Sequence, residues 1–129
     1  MRAIDVHVHP STRGLDCDAC AYFRRELNEV PTTEEKFAEL FVAQQVKALL
    51  IGWHPSTVKD GTRNSNEHVI ELVTKYPAAF AGVLASLNVG SQPVTELIEE
   101  AETLLKNPAV KGFKFHPPDQ NFYPNDRRH

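Results

Sequence analysis

No run of apolar residues in this chain approaches the roughly 20 that a membrane-spanning helix needs, so no membrane partner is expected. Cysteine is scarce. Cys17 and Cys20 make a single CxxC, with no second pair to complete a zinc site and no strand–helix context to make it a redox dithiol. Two reduced cysteines in a loop are the expectation. Positive charge is short as well: 14 Lys and Arg stand against 17 Asp and Glu, for a net charge of −3. The basic residues do not cluster into a phosphate-binding patch, which removes the electrostatic case for a nucleic-acid partner. The chain opens without the basic segment and apolar stretch of a secretory signal, and the cytoplasm is the expected compartment. There is no low-complexity tract. Length is the last shortage: 129 residues can bury one core, a single domain over residues 1–129. A complete (β/α)8 barrel takes about 250.

What is present is organised around residues 3–10, Ala-Ile-Asp-Val-His-Val-His-Pro. Ile4, Val6 and Val8 alternate with Asp5, His7 and His9, the period-two pattern of a strand. Side chains two apart share a face, so His7 and His9 project side by side, close enough to hold one metal ion. The valines are expected to pack on the opposite face. Pro10 lacks a backbone N–H and ends the pairing, which puts both imidazoles at the strand's C-terminal end. Parallel α/β folds carry their active sites there. A strand with two hydrogen-bonded or solvated histidines fits the same pattern.

The rest of the chain alternates helix and strand. Residues 11–31 read as a polar loop of the kind that rims an active site, with Arg13 and Cys17 as candidates to touch a substrate. Thr32 and Glu35 have capping-box spacing, and Phe37, Leu40 and Phe41 fall on one face of a helix running to about Gln45. Residues 46–52 are nearly continuously apolar, which suits a strand covered on both sides in a parallel sheet. His54 follows that strand directly and is a candidate ligand or substrate contact, a solvated loop histidine being the alternative. Residues 64–67 offer helix caps, Val69, Ile70, Val73 and Tyr76 supply a buried stripe, and Pro77 stops the helix. Residues 80–86 form a third strand in which Gly82 permits close packing. Ser91 and Pro93 open a helix whose Val94, Leu97, Ile98, Ala101, Leu104 and Leu105 make the clearest amphipathic stripe in the chain. Residues 109–115 form a fourth strand, stopped by Pro117 and Pro118, with Phe113 and Phe115 facing the helices.

Such alternation implies parallel pairing through right-handed crossovers. It describes the first half of a (β/α)8 barrel, or a small doubly wound α/β domain. The first and fourth strands each end in an i, i+2 polar pair, His7 with His9 and Lys114 with His116. In a barrel these pairs converge at the C-terminal mouth.

Asp5-Val-His7-Val-His9-Pro10 resembles the opening strand of the amidohydrolase superfamily, whose first barrel strand carries His-x-His. Residues 111–124, Lys-Gly-Phe-Lys-Phe-His-Pro-Pro-Asp-Gln-Asn-Phe-Tyr-Pro, resemble the fourth-strand region of the amidohydrolase-related branch. That branch includes aminocarboxymuconate-semialdehyde decarboxylase and assorted metal-dependent hydrolases. The two stretches occur in the expected order and at about the expected separation. The resemblance implies an α/β fold, the first half of a metal-dependent hydrolase TIM barrel, with His7 and His9 on a divalent metal, zinc being the expected ion. A small-molecule substrate would meet Lys114, His116 and His54. Some amidohydrolase branches carry a carbamylated lysine on the fourth strand, but the more closely matching branch does not, so Lys114 is read as a substrate contact.

A catalytic zinc keeps one position open, acidifies its water and polarises a carbonyl, which suits hydrolysis of an amide, ester or lactone. A decarboxylase of the same family can use the ion to hold a carboxylate. The resemblance puts the remaining ligands and an acid–base aspartate on later strands. The chain is therefore expected to be a truncated N-terminal portion, catalytically silent alone. It would be completed by a missing C-terminal half or would associate as a homo-oligomer. A non-catalytic remnant or interaction module is the competing reading. A metal-dependent nuclease or phosphoesterase also opens with His-x-His, but the scattered basic residues give it no phosphate steering.

Overall fold

The computed structural model describes residues 1–10, 31, 33–54 and 64–125. The loop carrying Arg13, Gly14, Cys17 and Cys20 falls outside them, as do Thr32 and His129. Strands and helices alternate in the order β1 (Ala3–Val8), α1 (Glu34–Ala43), β2 (Val46–Ile51), α2 (Asn66–Lys75), β3 (Phe80–Ala85), α3 (Val94–Leu105), β4 (Val110–Phe113) and α4 (Pro117–Gln120). All strand pairs are parallel and the sheet order is β1-β2-β3-β4. A doubly wound sheet reverses its strand order at a switch point, and these strands do not. Successive right-handed crossovers in one direction put α1, α2 and α3 on one face. The result is a generic parallel α/β array with the topology of a partial (β/α) barrel. Among the described residues the outer edges of β1 and β4 pair with no further strand.

The core lies between the helices and the middle strands. Ala48 and Leu50 of β2 and Val83 and Ala85 of β3 are buried against Phe37, Ala38, Val69, Leu72 and Val73. Each fully buried Val, Leu or Phe contributes about 1.5–3 kcal/mol over its exposed state, so these two strands hold the array together. Gly82 allows β4 to approach as expected, since a Cβ there would stand 2.8 Å from the Ala109 carbonyl oxygen.

The helix starts are set by local hydrogen bonds. Thr33, not Thr32, caps α1, its hydroxyl accepting from the Lys36 N–H at 3.2 Å. Ser65 caps α2 by accepting from the His68 N–H at 3.3 Å. Pro93 occupies the cap position of α3 with no side-chain bond, so Ser91 does not open that helix. Its stripe is only partly covered: Leu97 is buried, while Val94, Ile98 and Leu105 are exposed.

β1 departs from strict alternation. Asp5 is in register with Ala48 and Val8 with Leu50, so three steps along β1 match two along β2. That is a bulge, and it shifts which side chains face the core. Val8 is buried at 8% exposure, but Ile4 is 47% and Val6 60% exposed. The expectation that the apolar residues of this strand all pack on one covered face is therefore corrected. Only the last of them joins the core.

Candidate functional site

At the C-terminal end of β1, the His7 and His9 rings stand 5.4 Å apart, centroid to centroid, inclined at 68°. The Asp5 carboxylate sits in the bulge and accepts the His7 backbone N–H at 3.0 Å, which stiffens the turn that presents both rings. Trp53 follows β2 directly. Its backbone N–H donates to the Asn64 carbonyl at 2.6 Å, and the residue makes an isolated parallel bridge with Ser65 at the start of α2. The indole is thereby held over the end of β1. Its Nε1–H donates to His9 Nδ1 at 3.1 Å, with the ring centroids 5.2 Å apart and 22° from parallel.

β4 delivers the other half of the cluster. The ladder runs one residue past the strand, the Lys114 N–H donating to the Ala85 carbonyl at 2.8 Å. His116 caps α4 and its ring lies 6.1 Å from Trp53. Burial, and after it the positive charges of His7, Lys114 and His116, lower the His9 pKa from 6.5 to about 4. His9 is therefore neutral at neutral pH.

Two buried amides fix this end of the sheet. Asn66, 4% exposed, donates to the Ser86 carbonyl at 2.8 Å and accepts the Ser86 N–H at 2.9 Å. The side chain thus replaces a strand rung beyond the end of β3. Gly52 makes room for it, because a Cβ at that position would collide with the Asn66 side-chain oxygen. Gln120, also 4% exposed, donates to the Leu87 carbonyl and accepts the His116 N–H, the latter at 2.8 Å. The two residues that extend β3 are gripped from both sides, and His116 is tied to one grip.

The structure thus brings together His7, His9, Lys114 and His116, four of the seven candidates named from the sequence, while Arg13 and Cys17 lie outside the described residues. His54 Nε2 lies 3.8 Å from Glu100 Oε1 on α3. Trp53, Asn66 and Gln120 were not recognised as site residues. Their partners are distant in sequence, and only the position of Trp53 at a strand's C-terminal end was a usable signal.

Zinc does not fit the described residues as they stand. No group of three His, Cys, Asp or Glu side chains among them is arranged to hold a metal ion, and catalytic zinc usually takes three protein ligands. A ligating histidine also normally donates its second ring N–H to a neighbour. Here the Nδ1 of His9 accepts instead.

Comparison with protein-family models found no match, and neither did comparison with curated proteins or with solved structures. No described helix is long and apolar enough to cross a membrane.

Proposed function

We propose that the chain is the N-terminal portion of an amidohydrolase-related, metal-dependent hydrolase acting on an amide, ester or lactone bond of a small molecule. The observation that carries this reading is the delivery of His-x-His from β1 and Lys-x-His from β4 to the C-terminal end of a parallel sheet. The strand ends of a parallel α/β array are where such folds keep their chemistry. In this reading Lys114 and His116 hold and orient the substrate, and Trp53 shields it from water. The ligands that would complete a metal site with His7 and His9 lie beyond the described residues. The open edges of β1 and β4, with Ile4 and Val6 exposed, support completion of the sheet by further chain or by a second copy.

The test is to express the chain together with whatever its reading frame encodes past His129, and to assay a panel of esters, lactones and anilides. Hydrolysis that requires added zinc and disappears in His7→Ala/His9→Ala supports the reading. Release of carbon dioxide from a carboxylate substrate, with the same dependence, would select the decarboxylase instead. Absence of both activities, or turnover indifferent to the two histidines, would overturn it.

A further inference from the structure

We propose that Gln120 is the positioning residue of the strand-end cluster: its side chain clasps α4 to the end of β3 and so holds the His116 ring beside Trp53. The helix cannot hold itself. Pro117–Gln120 is a single turn, and a first helical turn fixes about six dihedral angles for one hydrogen bond. What holds it is a closed ring of bonds through one buried residue. The His116 N–H donates to the Gln120 side-chain oxygen at 2.8 Å, and the Gln120 N–H donates back to the His116 carbonyl at 3.0 Å. Both backbone polar groups of His116 therefore end on Gln120. The side-chain NH2 is left to donate to the Leu87 carbonyl. A primary amide carries an acceptor and a donor on one rigid plane, which is what a bridge from an N–H to a carbonyl requires.

The far end of the bridge is itself anchored. Leu87 is buried, and both backbone groups of its neighbour Ser86 are held by Asn66 of α2. Gly90 closes the clasp from the other side. A Cβ there would collide with the Gln120 carbonyl oxygen, so the loop after β3 lies directly against the C-terminal end of α4. Asn121 leaves the helix in the left-handed region at φ 52°, a conformation that asparagine tolerates. Phe122 then packs against the cluster of Leu87, Val89 and Leu97. Through these contacts the His116 ring is carried to 6.1 Å from Trp53, centroid to centroid. Gln120 thus acts on the site only through His116. The inference rests on the hydrolase reading for what His116 does to a substrate, and on the geometry alone for where His116 stands.

The experiment has a structural arm on the whole chain and a kinetic arm on the chain extended past His129. The structural arm reads nuclear Overhauser contacts between the Trp53 and His116 rings, and hydrogen exchange of the His116 amide. Two variants are compared with the wild type. Gln120→Met is close in volume and loses both side-chain bonds, while Gly90→Ala retains Gln120 and displaces α4, a check that survives if the first variant fails to fold. Expected is a ring contact in the wild type that both variants lose, with His116 amide exchange about tenfold faster. The Asn66 side-chain signals should stay in place. In the kinetic arm, Gln120→Met should raise KM about tenfold with kcat little changed, the mark of lost substrate binding. In a His116→Ala background it should add nothing, because the two residues act as a unit. A merely structural loss would lower the folded fraction and leave KM where it was, which would overturn the proposal. So would absence of the ring contact in the wild type, its retention in either folded variant, or KM effects of Gln120 and His116 that add independently. Loss of the ring contact as expected, in a chain that turns over no substrate, would support the clasp and overturn the hydrolase reading.

Discussion

At the start of β3, Phe80 meets Phe37, Phe41 and Tyr76 with ring centroids 6.0, 5.9 and 6.3 Å away, ring packed on ring. At the other end of the sheet, His7, His9, Trp53 and His116 also lie ring to ring, but around an N–H···N bond. The first cluster is held by apolar area and dispersion, with the Tyr76 hydroxyl its one polar side-chain group. In the second every ring bears a donor or acceptor, so its geometry depends on backbone clamps supplied by Asn66 and Gln120. The contrast separates stability from chemistry along the strand axis, as expected for parallel α/β arrays. Precise placement of polar side chains needs a rigid support beneath them.

The largest effect should come from the aromatic end. Phe80→Ala removes the ring shared by three neighbours and should cost about 3–5 kcal/mol in urea unfolding. In the fraction that stays folded, the ring signals of Trp53 and His9 should keep their positions. Shifted ring signals in that fraction would show that the two ends are not separate.

Asn66→Ala comes next. It leaves the Ser86 N–H and carbonyl buried without their partner, at a cost of about 2–3 kcal/mol. Unlike the Phe80 change it should also broaden the ring signals of Trp53 and His9, because α2 is no longer tied to the end of β3. Unchanged ring signals would make the clamp a matter of stability alone.

Acid should weaken the fold specifically through the polar end. The His9 pKa is lowered from 6.5 to about 4 in the folded protein. The unfolded chain therefore takes up this proton first. The contribution of neutral His9 is complete above about pH 6.5 and is lost as pH falls through 4. Solvent reaching the half-buried ring reduces the effect to about 1 kcal/mol. Urea midpoints at pH 7.5 and pH 4.5 should fall further for the wild type than for His9→Gln, and equal falls would contradict the shift.

The smallest effect belongs to His7→Ala. His7 is exposed, and its loss should change stability by no more than about 0.5 kcal/mol. The His9 ring signals should nonetheless shift, because the His7 ring no longer stands against them, beside an unchanged urea midpoint.

β2, α2 and β3 were legible in the sequence because each has an uninterrupted pattern: residues 46–52 and 80–86 are apolar runs, and Val69, Ile70 and Val73 repeat at helical spacing. Their observed bounds, Val46–Ile51, Asn66–Lys75 and Phe80–Ala85, lie within a few residues of those patterns. The i, i+2 pairs at the ends of β1 and β4 were legible for the same reason. The bulge in β1 was not, because an extra residue leaves no trace in an alternating sequence. Nor was α4: Pro117 and Pro118 read as the end of a strand, yet proline's fixed φ also suits a first helical turn. The site's supports were the least visible. Trp53 meets His9 across 44 residues and Asn66 meets Ser86 across 20, and no local pattern reports such pairs. Asn66 looked like one of several interchangeable caps, whereas Ser65 does the capping and Asn66 does the bracing.

The separation of the two ends is tested most directly by mapping the backbone amide shifts that His9→Gln causes across the whole chain. The account predicts changes confined to the neighbourhood of His7–Pro10, Gly52–His54 and Lys114–His116, with Tyr76, Phe80 and Ala109 unmoved. Shifts centred on Phe80 and Tyr76, or none at the ends of β1 and β4, would contradict it.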